Sequence, residues 1–134
     1  MRILFVTTEG NGVAKAAEDY VIGLQAKDGA EIGRHALSAI WPETGRTPAE
    51  QVALMDQLVS TVAKDEKARL YVLSTSPYVL RAIQVRAAEC SMATHVGCAL
   101  FRLDGSMEEM ASTEPLFDSW VRPLEDLEAR IFAL

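Results

Sequence analysis

Cysteine is scarce in this chain: Cys90 and Cys98 are the 2 in 134 residues, in neither a CxxC nor a Cys/His ligand spacing. That excludes a disulfide framework and a structural zinc, and both thiols read as small buried hydrophobes. Basic charge is also short, 13 Lys and Arg against 19 Asp and Glu, for a net charge of −6. Binding to nucleic acid or to an acidic membrane surface relies on clustered Lys and Arg, so neither partner is expected. No apolar run approaches the roughly 20 residues needed to span a bilayer. The opening Met1–Val6 is too short for a signal-peptide core and lacks a small-residue cleavage site before Glu9. Histidine is nearly missing. His35 and His95 have no partner at ligand or triad spacing, so they read as surface or packed residues and no metal site is expected. Repeats and low-complexity stretches are absent too. What is left is the profile of one cytoplasmic domain over residues 1–134, 49% hydrophobic and 24% charged. A chain of this length buries roughly 65–70% of its unfolded surface without staples.

Within it, apolar runs alternate with helical periodicities. Residues 3–7 (Ile-Leu-Phe-Val-Thr) form a continuous apolar run, as expected of a strand covered on both faces. The glycine-bearing turn 8–12 follows, then Ala17, Tyr20, Val21 and Leu24 at helical spacing, with Lys27-Asp28-Gly29 as a stop. Residues 31–40 read as a second strand and 41–48 as a loop, since two prolines and a glycine defeat both helix and strand. Thr47, Pro48 and Glu50 match a capping box with Pro in the first turn, and Val52, Met55, Leu58, Val59 and Val62 form the stripe of that helix. Residues 69–74 form the strongest strand, and Thr75-Ser76-Pro77 turns it into a helix carrying Val79, Leu80, Ile83 and Ala87. Residues 96–103 read as a further strand, and Asp104-Gly105 as the turn of a hairpin returning through Met107–Met110. Phe117, Trp120, Leu124, Leu127 and Ile131 form a last stripe, read as intramolecular core and split by Pro123 into two helical pieces. The sum is an α/β fold, a three-layer sandwich around a mostly parallel sheet, ending in a β-hairpin and helices.

Ligands in such folds gather at the carboxyl ends of strands, which directs attention to residues 7–16, 40–51 and 74–78. The first window is strand, glycine turn and helix, an arrangement that aims backbone N–H groups and a helix's positive end at an anion. Against the phosphate-loop pattern GxxxxGK[ST], residues 9–16 keep Lys15 and an Asn11-Gly12 pair. Glu9, Ala14 and Ala16 stand where two glycines and a magnesium-binding hydroxyl belong. The window alone reads as an ordinary strand–helix turn.

The other two windows change its weight. Ile40-Trp41-Pro42-Glu43 through Gln51 resembles the extended Walker B region of ABC-type ATPases of the RecF and SMC-like class. Leu73-Ser74-Thr75-Ser76-Pro77-Tyr78 resembles the switch loop of that family, and residues 99–109 its terminal hairpin. The resemblance runs in order through nearly the whole chain and implies a P-loop NTPase-like core. It makes Gly10, Asn11, Gly12 and Lys15 a vestigial phosphate-binding loop, and Trp41, Pro42, Glu43, Gln51, Ser74, Thr75 and Ser76 the motif-equivalent loops. Ile40, Trp41 and Thr75 replace the metal-binding acid, the catalytic Glu and the switch His, and there is no room before residue 40 for the helical subdomain. Phosphoryl transfer needs a magnesium ligand, a group that orients water and a γ-phosphate sensor. The resemblance therefore implies a pseudoenzyme without cofactor, binding ATP or another anion weakly, and acting through a protein partner or self-association. A second resemblance, over residues 1–38, is to flavodoxins. It implies an FMN-binding electron carrier whose phosphate loop is 7–12 and whose second loop is 74–78, with Tyr78 stacked on the flavin. Ser76 has no identifiable base nearby in sequence, so it is not expected to be a nucleophile.

Overall fold

In the computed structural model, which describes residues 1–133, the first apolar run forms strand β1 (Arg2–Thr8), buried at every position after Arg2. A strand covered on both faces belongs in the middle of a sheet. β1 lies between β3 (Arg69–Leu73) and β4 (Val96–Phe101), parallel to both. β2 (Ala36–Ile40) runs parallel outside β3, and β5 (Met107–Met110) antiparallel outside β4. The 5-stranded order is β2-β3-β1-β4-β5.

Crossovers between parallel strands are right-handed, so the direction of travel decides the face each helix occupies. β1 to β2 moves one way along the sheet through α1 (Ala14–Ile32). β2 to β3 and β3 to β4 move back the other way through α2 (Pro48–Ala63) and α3 (Pro77–Glu89). α1 is therefore alone on one face. The core divides accordingly: Ile3, Phe5, Leu70 and Val72 meet Met55, Val59, Leu80 and Ile83, while Leu4, Val6, Tyr71 and Leu73 meet Ala17 and Val21.

Local chemistry sets the boundaries. Thr47 accepts from the Glu50 N–H at 3.2 Å and the Glu50 carboxylate accepts from the Thr47 N–H at 3.1 Å, a complete capping box with Pro48 in the first turn. Ser76 caps α3 ahead of Pro77. α1 does not stop at Lys27-Asp28-Gly29 but continues to Ile32, so β2 starts at Ala36 and not near residue 31. Asp28 explains the extension. It is buried, 2.7 Å from Arg69 and accepting from the Tyr71 hydroxyl, and the chain turns instead at Gly33, with φ +56°. β4 ends at Phe101, not 103, because Arg102 and Gly105 already belong to the hairpin turn, closed by Arg102 N–H to Ser106 O at 2.8 Å.

Two expected core stripes need correction. Val52 on α2 is exposed. At the carboxyl end, α4 (Glu114–Leu116), a π-helical turn (Phe117–Val121) and α5 (Arg122–Phe132) follow without a gap. Pro123 falls at the second residue of α5 inside this continuous run, where it has no N–H to give the preceding turn, and the irregularity appears as the π turn. Trp120 packs edge-on to Phe5 at 6.4 Å, but Leu127 and Ile131 are 51% and 67% exposed.

The two faces are held differently. α1 fully buries Ala17, Val21 and Asp28, packs Tyr20 and Leu24 partly against the same core, and adds hydrogen bonds to that contact. Tyr20 donates to Glu109 and Trp41 Nε1 to Glu18, each at 2.6 Å, and Tyr71 donates to Asp28. Burial, and then the carboxylate each hydroxyl faces, push both Tyr20 and Tyr71 up to about 12.

The opposite face rests on apolar burial, so Phe5→Ala should cost about 3–5 kcal/mol in urea unfolding, a large share of the roughly 5–15 kcal/mol of a domain. For the tyrosines the folded state favours the neutral phenol. That stability is complete below the ordinary value near 10 and is lost as pH rises toward 12. The urea midpoint should fall between pH 10 and 12, and fall less in Tyr20→Phe.

Candidate functional site

β1 and β3 are neighbours whose next connections leave on opposite faces, the topological switch point where open α/β sheets bind ligands. Three loops meet there or beside it: 9–13 after β1, 41–47 after β2 and 74–76 after β3.

The second and third loops are joined by one carboxylate. Glu43 Oε1 accepts from Ser74 Oγ at 2.8 Å, and Oε2 accepts from the Thr75 N–H at 3.0 Å and its hydroxyl at 3.3 Å. Ser74 Oγ in turn accepts from the Ser76 N–H at 3.0 Å. Ser76 Oγ donates to Gln51 Oε1, and Gln51 Nε2 donates to Arg46 O at 3.2 Å. Ser74, Ser76, Gln51 and Pro42 are all buried. Every motif-equivalent residue except Trp41 therefore belongs to one assembly or lines its loop.

Trp41 faces elsewhere. Its backbone is left-handed, φ +52°, an uncommon conformation for a bulky side chain. Its N–H donates to Leu73 O at 2.8 Å, which extends the β2–β3 ladder, and its indole packs on the α1 side against Glu18.

The first loop stands apart from this assembly. Asn11 and Gly12 lie exposed in a single 3-10 turn (Asn11–Val13), and Lys15 begins the helix beyond it. Lys15 Nζ bonds Asp19 one turn along at 2.7 Å, with its side chain 81% exposed. That bond and the Asp19 charge raise its pKa. The start of the loop is tied to the hairpin: the Glu9 N–H donates to Phe101 O at 2.9 Å, and the Glu9 carboxylate accepts from the Leu103 N–H at 3.2 Å. A Cβ on Gly10 would stand 3.0 Å from Leu103 Cδ2.

Elsewhere the chemistry is quiet. Cys98 is buried, its thiol pushed up to about 11 by burial, and Cys90 is half-buried. No group of three or more His, Cys, Asp and Glu among the described residues is placed to hold a metal. His35 pairs with Asp65, whose carboxyl it holds below the usual range, at the far end of β2. A cavity of about 510 Å³ lies between α3, the start of β4 and the π turn, and none of the motif-equivalent residues lines it. There Arg81 and Arg122 stack on Phe117 at 4.8 and 5.1 Å. Nothing in the spacing of those residues announces that stack, because it joins two helices through the fold.

Comparison with protein-family models, curated proteins and solved structures finds no match for this chain. No helix among the described residues is long and apolar enough to cross a membrane.

Glu43→Gln keeps the shape of the assembly and removes its charge. It should destabilise the domain by about 1–2 kcal/mol, the difference between hydrogen bonds to charged and to neutral acceptors, and lower hydrogen-exchange protection at Thr75.

Proposed function

We propose that this chain is a degenerate, non-hydrolysing relative of ABC-type ATPases, which works as a protein-interaction or regulatory module. The observation that carries the reading is the Glu43 assembly. The residues matched to Walker B and switch loops are neighbours in space, yet their polar groups satisfy one another. The positions that would supply chemistry point away from the crevice, with Trp41 bonded to Glu18 and Lys15 to Asp19. In this reading the loops are structural, and function lies on outer surfaces.

The strand order favours this reading over FMN binding. Flavodoxin-like sheets run 2-1-3-4-5, whereas here β3 separates β2 from β1. Tyr78, the ring that would stack on a flavin, lies on the outer side of α2 and α3 beside Val52 and Val85.

An anion at the first loop would gain about 0.3–1 kcal/mol from the helix end and about 1.5–3 kcal/mol from one charge-assisted bond, which is millimolar affinity or weaker. Calorimetric titration should show ATP binding no tighter than that, and no stoichiometric complex with FMN. Phosphate release with Mg²⁺ should stay at background in wild type and Lys15→Ala alike. Micromolar ATP binding, turnover lost in Lys15→Ala, or a yellow FMN complex would overturn the proposal.

A further inference from the structure

Two apolar surfaces on the helical face lack a cover. The first is α5, none of whose residues is buried. Leu127 and Ile131 lie one turn apart on one side of it, 51% and 67% exposed. The second is a groove of about 260 Å³ between α2 and α3, lined by Val52, Tyr78, Ala82 and Val85, with Val52, Tyr78 and Val85 each more than a third exposed. A soluble surface rarely keeps two such patches without a use for them.

We infer that α5 of one copy seats in the α2–α3 groove of a second copy, reciprocally about a twofold axis. This rests on the reading of the chain as an interaction module and names its partner as a second copy of itself. One opposite charge on each side supports the match, beside the acidic Glu89 that also lines the groove. Arg130 borders the α5 stripe and Asp56 borders the groove, and neither has an ion-pair or hydrogen-bond partner among the described residues. The fold supplies the reach. Arg81, which lines the groove, bonds Glu125 in the first turn of α5 at 3.1 Å, which fixes the root of the helix at the groove's edge while its apolar side stays open. Area points to reciprocity. An 11-residue helix is only about 16 Å long, so one seat falls short of the roughly 800 Å² per partner of a stable interface. A twofold axis gives each copy two seats.

Sedimentation velocity of the purified chain from micromolar to hundreds of micromolar tests this. A concentration-dependent dimer is expected, with its dissociation constant raised at least tenfold both by Ile131→Glu on the helix and by Val85→Glu in the groove. Both positions are exposed, so the domain should stay folded, as circular dichroism would verify. Asp56→Arg and Arg130→Asp should each weaken the dimer, and the two together in one chain should restore it. A monomer throughout overturns the inference, as does a dimer indifferent to Val85→Glu, which would pair helix with helix. Either result leaves the nucleotide titrations above to judge the functional reading separately.

Discussion

Right-handed crossover is the constraint from which the rest of this architecture follows. With β1 in the middle of the sheet, the chain must travel outward to β2 and then back across β1 to reach β4. One handedness and two directions of travel leave α1 alone on its face, with α2 and α3 opposite. The same reversal opens the crevice between the carboxyl ends of β1 and β3, so the placement of the candidate loops is a consequence of topology. Their chemistry is a separate matter, decided by which side chains stand there.

The asymmetry extends to energetics. On the α2/α3 side, large side chains such as Phe5, Met55, Leu80 and Ile83 are fully buried, and each is worth roughly 1.5–3 kcal/mol of transfer free energy. On the α1 side the helix fully buries only Ala17, Val21 and an aspartate, with Tyr20 and Leu24 partly buried beside them, and hydrogen bonds worth about 0.5–1.5 kcal/mol each add to the attachment. Asp28 sits near the carboxyl end of α1, where the helix dipole disfavours an anion. Arg69 and Tyr71 on β3 offset that cost and tie the helix end to the sheet. Local opening should therefore begin at α1, whose bonds are few and titratable, and reach the opposite face last.

What could be read from the sequence was whatever depends on neighbours along the chain. The buried run of β1, the capping box at Thr47, the Ser76-Pro77 helix start and the hairpin around Gly105 are all set within a few residues, and each stands where the pattern puts it. The misplacements have distant causes. α1 overruns Gly29 because Asp28 has partners on a strand some forty residues later. Leu127 and Ile131 follow the helical period of a core stripe, but that side of the helix meets no other element, and periodicity says nothing of where a helix points. At the site, the candidate residues were identifiable by type, and the loops 41–47 and 74–76 do converge. Glu43 as their hub was not legible, because the hub exists only once β2 and β3 are paired in register.

That hub also bears on what the crevice can hold. A carboxylate that accepts from Ser74 and from both donors of Thr75 uses the same hydrogen-bond donors that an anionic ligand would need. A second carboxylate, Glu9, borders the loop after β1 and engages the hairpin through Leu103. Two like charges about 4 Å apart repel by about 4 kcal/mol at an effective dielectric near 20. That matches or exceeds the few kcal/mol a helix end and one lysine return. The interactions that rigidify the three loops are thus the ones that oppose a phosphate there. The carboxylates that fix these loops in place leave the crevice a poor host for an anion.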